Sequence, residues 1–192
     1  SCTSACYAKA LEVIGREMDV QEVLDEVLKD VPFYETSGGG MTISGGEPMM
    51  QFEFTKALLA EAKKHGLHNC LETSGFALQD KFTQIIPLVD VFLYDFKESD
   101  PERHKKFTGV PIEPILKNLL ELDRRGAKTA LRCPIIPGLN DRPAHLKEIA
   151  NLAERLGNLT EVDVLAYHPL GKSKSDRIGK DYPLDNNEFP GE

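Results

Sequence analysis

A chain of 192 residues, 41% hydrophobic and 28% charged, has the composition of a globular protein with a sizeable core. Its formal net charge of −8, with no Lys/Arg stripe to offset it, argues against nucleic acid as the main partner. No apolar run approaches membrane-spanning length, so no membrane partner is expected.

Helical and strand patterns alternate along the chain. Residues 20–29 carry apolar positions at helical spacing, with Asp19 as the N-cap. Residues 41–44 read as a strand, 52–65 as a helix ended by Gly66, and 68–73 as a second strand. A helix over 78–86 stops at Pro87, and the β-branched and aromatic run 89–96 is a buried strand. A short helix over 101–107 and a longer one over 114–125 lead to a strand over 128–136. A helix over 144–156 and a strand over 162–167 complete the pattern. Strands separated by helices, with no hairpin signal, predict βα units and a parallel sheet, either barrel-like or doubly wound.

The chemistry-bearing residues fall repeatedly where a strand runs into its following loop. They are Gly45-Gly46-Glu47, Glu72-Thr73-Ser74, Asp95-Phe96-Lys97, Arg132 and Tyr167-His168. In parallel α/β folds the carboxyl ends of the strands share one rim, where ligands bind. The two glycines let bare backbone groups approach a ligand, Glu47 offers a carboxylate to an ammonium, and Pro48 fixes the exit. Such a cradle suits a zwitterionic amino acid better than a phosphate, because no Gly-Lys-Ser/Thr follows. Lys97 and Arg132 would clamp that ligand's carboxylate. Asp95 and Lys97 point the same way along an extended strand, so a purely structural ion pair is the competing reading.

Of the remaining histidines, His65, His104 and His145 fall on helical faces or ends, where solvent exposure is expected. His68 opens a strand and carries no signal. Cys70 and Cys133 sit among apolar strand residues and read as small core side chains. Four dispersed cysteines suit a reducing cytosol better than a disulfide framework, so the expected location is cytoplasmic. Cys2 and Cys6 form a C-x₃-C pair that fits the last two cysteines of the bacterial ferredoxin run, too few to hold a cubane cluster. With no initiator Met at Ser1, a piece of a longer protein is expected. Residues 185–192 read as a polar tail.

In their order, the motifs resemble the glycyl-radical-enzyme activating enzymes of the radical S-adenosylmethionine (SAM) superfamily, typified by the pyruvate formate-lyase activating enzyme. The likeness rests on residues 10–18, Ser37 through Pro48 and Leu71-Glu72-Thr73-Ser74-Gly75. It continues through Tyr94-Asp95-Phe96-Lys97, Thr108-Gly109-Val110, residues 136–141 and residues 167–171. It implies an α/β fold, a partial (β/α)₆ TIM-like barrel with parallel strands, from which the first strand and the cluster loop are absent. It further implies an oxidoreductase of the [formate-C-acetyltransferase]-activating kind. A [4Fe–4S] cluster would cleave SAM reductively, and the resulting radical would take a hydrogen from a glycine of the partner enzyme. Gly45, Gly46 and Glu47 would receive the methionyl amine, Lys97 and Arg132 the carboxylate, and His168 the nucleoside, with Asp95 and Phe96 in the same cofactor-binding set. Glu72, Thr73 and Asp95 would form a monovalent-cation site. The implied partners are a glycyl radical enzyme, such as pyruvate formate-lyase, and an electron donor such as flavodoxin or ferredoxin.

The family's three-cysteine loop has no counterpart here, and Cys2 and Cys6 align instead with the end of a ferredoxin-like insert that many members carry, so the resemblance implies that residues 1–9 are a remnant of that insert and 10–184 the partial barrel. The resemblance therefore implies that this chain by itself is inactive, with no catalytic residue of its own. Two further readings are an aldolase-type barrel using Lys97 as a Schiff-base nucleophile, and a non-catalytic scaffold that contacts a large partner protein.

Overall fold

The computed structural model describes residues 15–168 and 170–182 without a break, together with Thr3, Ala5, Tyr7, Ala8, Ala10, Val13 and Leu184. Cys2 and Cys6, on which the cluster-remnant reading rests, lie outside the described residues, as do 185–192. The architecture is one parallel sheet of five strands in the order β1-β2-β3-β4-β5. The strands are β1 (Gly40–Ile43), β2 (His68–Thr73), β3 (Val91–Asp95), β4 (Thr129–Ile135) and β5 (Leu159–Ala166). Each neighbouring pair is parallel, and β1 and β5 do not pair with each other, so the sheet stays open. All the carboxyl ends therefore face one rim.

Helices fill the connections. Ahead of the sheet lie α1 (Val20–Leu28) and α2 (Val31–Ser37). Between strands come α3 (Phe52–Lys64), α4 (Gln79–Ile85), α5 (Pro101–Thr108), α6 (Glu113–Arg124) and α7 (Pro143–Arg155), and α8 (Leu170–Arg177) follows β5. Asp19 caps α1 in a reciprocal box with Glu22, and Asp100 caps α5 by accepting from the Arg103 N–H at 2.9 Å.

The strand period places the core. In β3, Phe92 and Tyr94 are buried and alternate with half-buried Val91, Leu93 and Asp95. The buried set packs under the helices with Leu71, Leu131, Phe82, Ile85, Leu119 and Leu122, the Phe82 ring lying 6.4 Å from Phe92 and 6.5 Å from Tyr94. The alternate set, including Glu72, Asp95 and Arg132, faces the other side and stays half-exposed because the open sheet leaves that face uncovered.

The structure departs from expectation in four places. The segment α2 has little apolar periodicity, but Pro32 starts it and Gly38, at φ 70°, ends it. A 3₁₀ turn over Pro48–Gln51 precedes α3. The strand β5 begins at Leu159, because Leu159 to Glu161 pair with β4 across an irregular register at Thr129/Ala130. The expected exposure of His104 and His145 is wrong. His104 is buried with Nδ1 3.0 Å from the Val110 carbonyl, and His145 is buried with its ring 5.7 Å from that of Phe96.

Candidate functional site

The loop after β1 supplies the first wall of the site. Gly45 adopts φ 134°, a conformation open to glycine, and with Ser44 and Gly46 it borders a cavity of about 200 Å³. Glu72, Thr73, Ser74, Asp95 and Lys97 complete that cavity. Strands β1, β2 and β3 thus deliver polar groups to one place.

Glu47 is turned inward. One oxygen of its carboxylate accepts from the Thr73 hydroxyl at 2.8 Å and the Met49 N–H at 3.2 Å. The other accepts from the Ser74 N–H at 2.8 Å and the Ser74 hydroxyl at 2.6 Å. Four donors fill a carboxylate's capacity. Glu47 therefore ties the loop after β1 to the loop after β2.

The charged residues pair across strands. Glu72 accepts from the Ser44 hydroxyl at 2.7 Å and from Arg132 Nη1 at 2.5 Å. Asp95 lies 3.3 Å from Lys97 Nζ, the ion pair that the strand period allowed. Burial pushes the Asp95 carboxyl above its ordinary range, and Lys97 works against that rise.

Lys97 borders two further cavities. One, of about 220 Å³, is shared with Glu47, Ser74, Phe76, Asp95 and His104. The other, of about 500 Å³, is walled mainly by carbon from Phe107, Pro134, Ile136 and Leu139, with Lys106 at its edge. A polar hollow and an apolar one therefore meet at a single lysine, the layout a ligand with a charged head and a flat body requires.

The structure brings Gly45, Gly46, Glu72, Thr73, Asp95 and Lys97 around one cavity, with Glu47 and Arg132 in the layer that braces it. It separates two other candidates from them. The Phe96 ring is buried against His145, on the opposite side of the strand end from Asp95 and Lys97. His168 is exposed beyond β5 and borders none of these cavities. The cation reading of Glu72, Thr73 and Asp95 does not fit the donor set as arranged. Arg132 and Ser44 occupy Glu72, Lys97 neutralises Asp95, and the Thr73 hydroxyl lies between Glu47 and the Gly75 N–H. Among the described residues, no three His, Cys, Asp or Glu side chains converge to hold a metal.

Sequence reasoning missed the polar residues behind the rim. Asn118 donates to the carbonyls of Gly75 and Ala77, at 2.8 Å each, and so holds the loop after β2. Glu98 is fully buried beside Arg142 and Arg103. In Asp95-Phe96-Lys97-Glu98-Ser99-Asp100 a further acidic residue carries no local signal of burial, because its two arginines come from other elements.

Residues 4–153 match the Radical SAM superfamily. The isethionate sulfite-lyase activating enzyme of Nitratidesulfovibrio vulgaris is 42% identical over 185 residues, which are 95% of this chain and 60% of that protein. The pyruvate formate-lyase-activating enzyme of Staphylococcus epidermidis is 35% identical over 182 residues, 92% of this chain and 72% of that protein. The chain belongs to the radical SAM superfamily, among the glycyl-radical-enzyme activating enzymes.

The family's fold is found in solved structures as well. A crystallised domain of the pyruvate-formate lyase-activating enzyme from Bacteroides vulgatus superposes with a TM-score of 0.66 at 26% identity, covering 80% of this chain and 86% of that one. Streptococcus suis SuiB, crystallised with S-adenosylmethionine, shares the fold at a TM-score of 0.64 and 13% identity, over 90% of this chain and 39% of that one. The partial barrel of parallel strands is therefore the radical SAM fold. The chain spans about three fifths of the length of the first curated relatives it matches. Among the described residues, no helix is long and apolar enough to cross a membrane.

Proposed function

We propose that this chain carries the SAM-binding rim of an activating enzyme that installs a radical on a glycine of a partner enzyme. The observation that carries the reading is the position of Lys97, where a polar cavity lined by Gly45 and Gly46 meets a larger apolar one. The glycine turn receives the methionyl amine through backbone carbonyls, and Lys97 Nζ meets the methionyl carboxylate. The apolar walls from Pro134, Ile136 and Phe107 receive the nucleoside and exclude water from it. Arg132, bonded to Glu72, adds positive potential at the same rim. His168, exposed beyond β5, borders neither cavity and takes no part in this reading.

In this reading SAM and a [4Fe–4S] cluster would supply reductive carbon–sulfur cleavage and with it the hydrogen-abstracting species. The residues here hold and orient the cofactor. Electrons would come from a small donor such as flavodoxin or ferredoxin. For the partner we favour a glycyl radical enzyme of the lyase or dehydratase kind. Relatives named for isethionate sulfite-lyase, choline trimethylamine-lyase and a sulfopropanediol dehydratase are 42%, 38% and 37% identical, against 35% for the relative named for pyruvate formate-lyase. The aldolase reading has less support, because Lys97 is paired with Asp95 as an ammonium should be.

Titration calorimetry with SAM tests the reading. Saturable binding is expected, weakened about tenfold or more by Lys97→Ala through loss of a charge-assisted contact. Equal affinity in the two proteins would remove the clamp.

A further inference from the structure

Lys97 is the second residue past the end of β3, and its position depends on a second loop. The last ladder contact is the Phe96 N–H to the Arg132 carbonyl, at 2.7 Å. One residue on, the Lys97 carbonyl accepts from Asn140 Nδ2 at 2.6 Å. Asn140 is 3% exposed and is bonded through both its nitrogen and its oxygen. Its Nδ2 also donates to the Pro134 carbonyl at 2.7 Å, and its Oδ1 accepts from the Ile136 N–H at 2.6 Å. A single side chain thus fastens the end of β3 to the end of β4.

The next residue fastens the same two loops from the other side. Glu98 is 0% exposed and accepts from the Ser99 and Asp100 N–H groups at 2.8 and 2.9 Å. Arg142 Nη2, at the start of α7, donates to it at 2.6 Å. Arg103 Nε, on α5, lies 3.4 Å away, and the same guanidinium reaches the Leu139 carbonyl. Burying a carboxylate is costly and contributes little net stability. What this arrangement does provide is a fixed backbone on both sides of the lysine that borders every rim cavity described above.

We infer that Asn140 and Glu98 are positioning residues, which set the reach of Lys97 toward the carboxylate of the bound cofactor. The inference rests on the SAM-binding reading and deepens it. A lysine ammonium is a point charge on a four-carbon stem, so its aim is set by where its backbone is held. The ammonium already lies 3.3 Å from Asp95, so a backbone freed from Asn140 loses the fixed reach that lets Lys97 meet a ligand as well.

The test compares SAM with its decarboxylated analogue, binding each to the full chain by calorimetry, for the native protein, Asn140→Ala and Arg142→Gln. The native protein is expected to prefer SAM by about tenfold or more. Each variant is expected to weaken SAM by about three- to tenfold while leaving the analogue unchanged, so the preference shrinks. A purely structural role would weaken both ligands together, and that result overturns the inference, as does an undiminished preference in the variants. Arg142 is only half-buried, so Arg142→Gln decides the matter should Asn140→Ala fail to fold. A native protein that binds both ligands alike would remove the Lys97 clamp itself, a failure distinct from that of the positioning network.

Discussion

Glu47 and Ser74 belong to consecutive rim loops and are joined twice, since one carboxylate oxygen accepts both the backbone N–H and the hydroxyl of Ser74. With Thr73 and Met49 on the other oxygen, every acceptor position of Glu47 is filled from within the protein. Glu47→Gln turns one of those oxygens into a donor facing donors. A loss of about 1–3 kcal/mol is expected, read as a lower midpoint in urea. An unchanged midpoint would mean that the two loops are held by something other than this carboxylate.

Gly75 follows at φ 77°, and a β-carbon there would run into the Tyr94 hydroxyl, which is buried and donates to the Ile115 carbonyl at 2.7 Å. Gly75→Ala combines a left-handed backbone with overpacking, and about 2–4 kcal/mol of destabilisation is expected. At roughly 2–4 °C per kcal/mol, a thermal melt resolves it. Gly157→Ala, with nothing within 4 Å and no left-handed φ, is the control and should melt close to the native protein.

Acid should act on the network behind Lys97. Burial pushes His145 below its ordinary value of 6.5, an effect that Glu98 opposes and Arg142 reinforces. Its Nδ1 accepts the Ser99 N–H, and the neutral ring is the form that fits. Below about pH 6.5 the unfolded chain binds a proton at His145 that the folded chain refuses, so stability falls as pH drops. Burial also works to raise Glu98, but the Asp100 N–H and Arg142 outweigh it and hold the carboxylate below 4.5. Its stabilising share is present above pH 4.5 and is lost as pH falls through the lowered value. Urea midpoints at pH 7.5, 6 and 5 should decline, and His145→Gln should flatten the decline between 7.5 and 6. An equal slope in that variant would assign the sensitivity elsewhere.

Cys133 is fully buried, and burial, together with Asp163 and Asp95, pushes its thiol up to about 12. At pH 8 it should resist iodoacetamide in the folded protein and react only in denaturant, while half-buried Cys70 reacts first. Peptide mass spectrometry distinguishes the two, and early modification of Cys133 would contradict the packing around β4.

Much of the fold was legible along the chain because strand and helix periods are local properties. The strand at 68–73 was read with its observed ends, and the other four within a few residues. The short helix α2 was missed because Pro32 and Gly38 define it better than its apolar pattern does. His104 and His145 were misread for a related reason. A histidine on a helix says nothing about which neighbouring loop will cover it, and here residues 108–110 and Phe96 do so.

The sequence alone determined the rim. Polar and glycine-rich residues at the ends of successive strands must share one side of a parallel sheet, because the strands all run the same way. Folding in three dimensions set which charges meet across strands. Glu72 with Arg132 is a pairing across strands 60 residues apart in the chain, whereas Asp95 with Lys97 is one that the strand period already allowed. The retreat of Glu47 into the scaffold and the burial of Glu98 against Arg142 depend on contacts 26 to 44 residues apart in the chain. Ion pairing and desolvation act over a few ångströms in space, and no local spacing of residues records that distance.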